Sequence, residues 1–208
     1  TPESLKEMQP WTFGELAITA DARIDNREEL FDCLKISDTP LSQISDCELL
    51  VRAYLHWGED CPQQLVGDFA FAIWDSRKRQ FFCARDQMGV KPFYYAFHAK
   101  KQFILASEIK AILCIPEVPR TINEAKLGDY LLADFRDKSR TFYSHISRLP
   151  PATALVVGDN GIRLREYWSL DPNREIRLSS DSEYAEAFRE VFSEAVRCRL
   201  RSAFPVGS

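Results

Sequence analysis

Both alternating sets of side chains are apolar in Phe69-Ala70-Phe71-Ala72-Ile73-Trp74. Successive side chains of a strand point to opposite faces, so Phe69, Phe71 and Ile73 face one way and Ala70, Ala72 and Trp74 the other. A strand apolar on both faces must be covered on both, which predicts a sheet buried inside a layered structure. A polar turn at 75–79 leads into a hairpin partner at 80–85. Further strands are predicted at 16–20, at 93–97 and 102–106 joined through Ala99-Lys100-Lys101, and at 152–157 and 162–168. Gly158-Asp159-Asn160-Gly161 between the last two is a strong hairpin signal.

Helical periodicity occupies the gaps. Asn26 is a good N-cap for a helix at 27–34. Ser45-x-x-Glu48 has capping-box spacing and opens a helix with Leu49, Leu50, Ala53, Tyr54 and Trp57 on one stripe, stopped by Gly58. Short helices are predicted at 108–113 and, capped by Asn123, at 124–132. A polar stretch at 171–180 reads as a linker. Ser180-x-x-Glu183 then starts a helix carrying Tyr184, Phe188, Val191, Phe192, Ala195 and Val196 on a broad apolar stripe, which needs a core to cover it. Sequential hairpins with helices grouped between them predict an antiparallel α+β layered fold.

Composition narrows the classes. Lys+Arg 27 against Asp+Glu 31 gives a net charge of −4, without the basic field of a nucleic-acid binder. No apolar run is long enough to span a bilayer, so no membrane partner is expected. The 6 Cys lie mostly in apolar runs and read as small buried hydrophobes of a reduced, cytoplasmic protein. No C-x-x-C pair exists and the 3 His are scattered, so no metal site is expected. Thr1 is neither an initiator Met nor part of a signal peptide, and both ends read as cut. Arg85-Asp86 reads as an ion pair at a strand end, anchoring the turn with Gly89.

Three longer motifs go further. Leu65-Val66-Gly67-Asp68-Phe69-Ala70-Phe71-Ala72-Ile73-Trp74-Asp75, Ala84-Arg85-Asp86-Gln87-Met88-Gly89-Val90-Lys91-Pro92-Phe93-Tyr94-Tyr95 and Ala106-Ser107-Glu108-Ile109-Lys110-Ala111 closely resemble the glutaminase domain of glutamine-dependent asparagine synthases. Ser45-Asp46-Cys47-Glu48 and the strand before Asn26 fit the same order, so the resemblance covers nearly the whole chain. It implies a four-layer αββα N-terminal-nucleophile hydrolase sandwich of antiparallel sheets, incomplete at the N-terminus. It further implies a glutaminase-like domain over 1–169, a linker over 170–180, and from 181 to 208 the truncated first helix of an ATP-dependent synthetase domain.

In that family an N-terminal cysteine thiol attacks the glutamine carboxamide with its own α-amine as base. Ammonia then reaches a second domain, where aspartate, activated by ATP as an acyl-adenylate, becomes asparagine. The resemblance therefore implies ATP and Mg2+ for the synthetase domain and no cofactor within this chain. The implied partners are glutamine, with aspartate and ATP in the full protein, and a homodimer is one possible assembly. The nucleophilic cysteine falls before Thr1 in the family's order. No catalytic residue is expected in the chain, and the piece alone is expected to catalyse neither half-reaction.

Asp46 matches a family carboxylate that pairs with glutamine's α-amine; as a residue it also reads as a helix N-cap partner, and both readings stay open. The family's Asn-Gly-Glu-Ile-Tyr-Asn corresponds to Asp21-Ala22-Arg23-Ile24-Asp25-Asn26. There the Asn side chain and the next backbone N–H donate to the oxyanion, whereas an ionised Asp21 has no proton to donate. Arg23 reverses the charge of the family's Glu near the amine. The glutamine-binding candidates are therefore Asp46, Asp21, Ala22 and Arg23. The two substitutions leave other readings open. One is a degenerate, non-hydrolysing domain of a related ligase of the lasso-peptide cyclase or β-lactam synthetase type. The other is a non-catalytic scaffold module.

Overall fold

The computed structural model describes residues 2–98, 102–159 and 161–207; the predicted turn at 99–101 and Asn160 of the last hairpin lie outside them. In chain order the described strands are β1 (Trp11–Phe13), β2 (Leu16–Ile24), β3 (Gly67–Asp75), β4 (Gln80–Arg85), β5 (Tyr94–His98), β6 (Gln102–Ala106), β7 (Ile146–Arg148), β8 (Thr153–Gly158) and β9 (Gly161–Glu166). The described helices are α1 (Arg27–Cys33), α2 (Asp46–Trp57), α3 (Ile109–Ile112), α4 (Glu124–Leu131) and α5 (Asp181–Arg199). One sheet runs β1-β2-β3-β4-β8-β9 and a second runs β6-β5-β7, with antiparallel pairing throughout.

β3 behaves as its pattern predicts. Phe69, Phe71 and Ile73 pack with Ile18, Phe82 and the inward stripe of α2, including Leu50, Val51 and Tyr54. Ala70 and Ala72 turn the other way and, with Cys83 and Leu155, meet Phe93, Tyr95, Phe103 and Leu105 of the segment running into the second sheet. That sheet is covered in turn on its outer face, where Ala96, Ile104 and Ile146 pack against Ile112 of α3. The layers are thus helix, sheet, sheet, helix, the αββα order. Fully burying each of the large side chains among these contributes roughly 1.5–3 kcal/mol.

Several local expectations change. β2 extends to Ile24, because its whole length pairs with β3 from Leu16↔Asp75 to Ile24↔Gly67. Two three-residue strands, β1 and β7, carry no alternation long enough to read. Asn26 precedes α1, but its side chain does not cap it. The Asn26 side chain instead donates to the Gln64 carbonyl at 2.9 Å and accepts from the Val66 N–H at 3.0 Å, tying α1 to the start of β3. Ser45, Asn123 and Ser180 do cap their helices, accepting from the N–H groups of Glu48, Lys126 and Glu183. Only Cys47, Cys61 and Cys83 are buried; Cys33 and Cys114 are exposed and Cys198 is intermediate, all six being free. The stripe on α5 is open, with Phe188 70% and Phe192 58% exposed.

Candidate functional site

The end of β2 is set by an unusually close approach to β3. Gly67 has φ +147°, and a Cβ there would lie 2.1 Å from the Arg23 carbonyl oxygen, so only glycine allows this pairing. The pairing fixes Asp21, Ala22 and Arg23 opposite Ala70, Phe69 and Asp68. α2 is held by its buried stripe and by the Ser45 cap, and this brings Asp46, in its first turn, beside β2. The Ile24 N–H donates to Asp46 Oδ2 at 3.4 Å.

A cavity of about 380 Å³ opens at this corner, lined by Asp21, Ala22 and Arg23 on one side and Asp46 on the other. All four sequence-predicted residues therefore meet around one space. Glu7, Gln9, Ala20, Cys47 and Lys91 complete its wall. The Gln9 side chain donates to the Ala20 carbonyl at 2.8 Å and accepts from the Ala20 N–H at 2.8 Å, so it occupies the edge of β2 as a strand neighbour would.

Asp46 is 4% exposed. Its Oδ1 accepts from Arg27, and its Oδ2 accepts from Arg201 Nη2 at 3.1 Å. The cap of α2 is made by Ser45, so the Asp46 side chain is not the helix's N-cap partner. Arg23 is less simply paired: Nε donates to Asp25 Oδ1 at 3.1 Å and Nη1 to the Arg201 carbonyl at 3.2 Å, while buried Nη2 finds no partner among the described residues. Asp21 is half exposed and forms an ion pair with Lys91, Nζ to Oδ1 at 2.6 Å. It borders a second cavity of about 350 Å³ between the sheets as well.

Lys91, Arg27 and Arg201 had no place among the predicted site residues. Lys91 lies in a motif that marked family membership, and its position follows from the neighbouring corner. There Arg85 Nε donates to the Lys91 carbonyl at 2.6 Å, and the Lys91 N–H donates to Asp86 Oδ2 at 3.0 Å. Arg85 and Asp86 anchor the Gly89 turn as expected, but not as an ion pair. Arg85 donates to the carbonyls of Lys91, Leu149 and Gly89, and Asp86 accepts from backbone N–H groups. Each lies beside unpaired backbone groups of the turn, which claim both side chains.

Three carboxylates (Glu7, Asp21, Asp46) and two cations (Arg23, Lys91) face the 380 Å³ space. Mixed charge of this kind suits a small zwitterion. The Cys47 thiol borders it, but burial, with a further contribution from Glu7, pushes its pKa far up. A raised thiol pKa works against thiolate attack. Among the described residues no group of three or more His, Cys, Asp or Glu side chains is arranged to hold a metal, and no helix is long and apolar enough to cross a membrane.

The chain belongs to the glutamine amidotransferase domain family, whose sequence profile matches residues 4–168. It is 33% identical over 190 residues to asparagine synthetase [glutamine-hydrolyzing] 3 of Bacillus subtilis, covering 91% of this chain and 30% of that protein. It is 32% identical over 168 residues to putative asparagine synthetase [glutamine-hydrolyzing] 2 of Methanocaldococcus jannaschii, covering 79% of this chain and 32% of that protein. The chain thus spans less than a third of the length of these relatives. Glutamine phosphoribosylpyrophosphate amidotransferase from B. subtilis superposes with a TM-score of 0.57 at 18% identity, over 81% of this chain and 33% of that one. That match shows a shared fold, the N-terminal-nucleophile sandwich of antiparallel sheets.

Proposed function

We propose that this chain is the glutamine-recognising domain of an asparagine-synthetase-type ligase, and that the corner cavity receives glutamine with its α-ammonium toward Asp46. One observation carries the reading: Asp21, Ala22, Arg23 and Asp46, from two separate segments, converge on a single 380 Å³ cavity of mixed charge. Asp46 accepts from the cationic end of the ligand, and the backbone and side chains at 21–23 meet its remaining polar groups. The whole protein then amidates aspartate to asparagine in the cytoplasm. ATP and Mg2+ act in a synthetase domain that begins near residue 181, after a linker at 170–180. The residues of this chain recognise glutamine; none of them is the attacking nucleophile, so the chain by itself turns over neither substrate.

A second reading has its own support. The Asp21 carboxylate is engaged by Lys91 at 2.6 Å, and it has no proton to give an oxyanion. Loss of one oxyanion donor costs on the order of 10²–10³ in rate, which favours a degenerate, in effect non-hydrolysing domain of a related ligase. An assay of the intact protein with aspartate, ATP and either glutamine or ammonia separates the two. Asparagine formed from both nitrogen sources supports the ligase reading with a hydrolysing domain; asparagine from ammonia alone supports the degenerate one, in which Asp21→Asn is expected to raise the glutamine-dependent rate by roughly 10²-fold while leaving the ammonia-dependent rate alone. Asparagine from neither source, in wild type and variant alike, contradicts it.

A further inference from the structure

The end of α5 is fastened to the glutaminase-like layers by charge, although the helix leaves its apolar stripe open. Arg199 grips Asp68 with both terminal guanidinium nitrogens, Nη2 to Oδ1 being 2.9 Å. Two residues on, Arg201 donates Nη1 to Glu3 Oε2 at 3.0 Å, and Nη2 to the Ile24 carbonyl at 2.9 Å and Asp46 Oδ2 at 3.1 Å. Its own carbonyl accepts from Arg23. One residue after α5 therefore holds two residues of the corner cavity, Asp46 and Arg23. Arg201 reaches Asp46 from a neighbouring space of about 620 Å³, which it lines with Glu3 and Arg27, so the Asp46 carboxylate stands between the two cavities.

The charge count at this partition is balanced. Among the described residues, Arg27 and Arg201 contact Asp46 and Glu3, two guanidiniums against two carboxylates. A carboxylate offers about four acceptor sites, and those of Asp46 already serve Arg27, Arg201 and the Ile24 N–H. An ammonium arriving from the corner cavity meets a compensated carboxylate. Without Arg201 the same group carries an excess negative charge, with Arg27 shared between Asp46 and Glu3.

We propose that Arg201 is a specificity-setting residue that holds down the cavity's affinity for an α-ammonium, coupling glutamine binding to the docking of the segment after α5. The proposal rests on the glutamine reading above. Docked, Arg201 shares the charge of Asp46; lifted away, it leaves Asp46 free to grip the amine. Because binding linkage is reciprocal, glutamine also loosens Arg201 by the same factor.

The test is calorimetric titration of the intact protein with L-glutamine and with glutaramate, which keeps the carboxamide and lacks the α-amine. Arg201→Gln is expected to bind glutamine roughly tenfold more tightly, within the usual range for coupled sites, with glutaramate binding unchanged and Arg201→Lys behaving as wild type. If wild type binds glutamine and Arg201→Gln binds it equally or more weakly, or tightens both ligands alike, the proposal is overturned and the glutamine reading stands. If Arg201→Lys tracks Arg201→Gln, charge is not the cause and the proposal also fails. If neither wild type nor Arg201→Gln binds glutamine, the glutamine reading falls and takes the proposal with it. Hydrogen exchange on the unmutated protein gives a second readout. Saturating glutamine speeds exchange in residues 199–207 if the coupling exists, and an unchanged rate there contradicts it.

Discussion

Asp86, just past the end of β4, and Asp46, in the first turn of α2, are both buried carboxylates beside the larger sheet, 1% and 4% exposed, yet their partners differ in kind. Asp86 accepts from the backbone N–H groups of Phe69, Met88, Val90 and Lys91. Its neighbour Arg85 is likewise used up on carbonyls. All of that charge goes into shaping a turn. Asp46 takes a single backbone N–H and two guanidiniums, and it borders open space. Burial of charge alone therefore does not mark a binding group. What distinguishes Asp46 is that its partners are chiefly side chains from distant segments and its surroundings include a cavity.

The largest effect that tests this contrast comes from Asp86→Ala. It strands backbone donors in a buried turn and is expected to lower unfolding free energy by about 3–5 kcal/mol, read from a urea midpoint at constant m. Asp46→Asn keeps one acceptor oxygen and is expected to cost less, about 1–3 kcal/mol. If Asp46→Asn proves the more damaging of the two, the assignment of Asp86 as the structural carboxylate is wrong. Asp137 supplies a partly exposed counterpart. Hydrogen bonds from Ser139 and from the Arg140 backbone, against some desolvation, lower its pKa from 3.8 to about 2. A lowered folded pKa means stability that is present above 3.8 and lost as pH falls toward 2. Asp137→Asn is expected to flatten the acid side of a stability–pH curve over that window; an unchanged slope would show that its bonds form no part of the folded state. The smallest effect belongs to α5: in a chain limited to residues 1–208, Phe192→Ala is expected to change unfolding free energy by no more than about 0.5 kcal/mol, because the ring is 58% exposed there. A loss of several kcal/mol would mean that the stripe is covered in solution.

Much of the fold is legible because it is local. The two-sided run at 69–74 announces its own burial, and Ser45, Asn123 and Ser180 cap helices by contacts three residues away. β1 and β7 are three residues long, too short for a period to show. The site divides the same way. Asp21, Ala22, Arg23 and Asp46 were reached through their match to a family motif, and the structure brings them together. Arg27 and Arg201 meet Asp46 across 19 and 155 residues of chain, a relation that no spacing rule encodes. Lys91 meets Asp21 only because the Arg85–Asp86 corner aims its turn. Arg85 and Asp86 are adjacent in sequence and opposite in charge, which suggests a pair; the unsatisfied backbone around each is visible only in three dimensions.

The central claim is that the corner between β2 and α2 holds glutamine through the Asp46 carboxylate. Titrating the intact protein and its Asp46→Asn variant with L-glutamine, at fixed salt and pH, addresses it directly. The account predicts saturable binding by the wild type and at least a tenfold weaker affinity in the variant, with the variant still folded by circular dichroism. Equal affinity in the two proteins would contradict it.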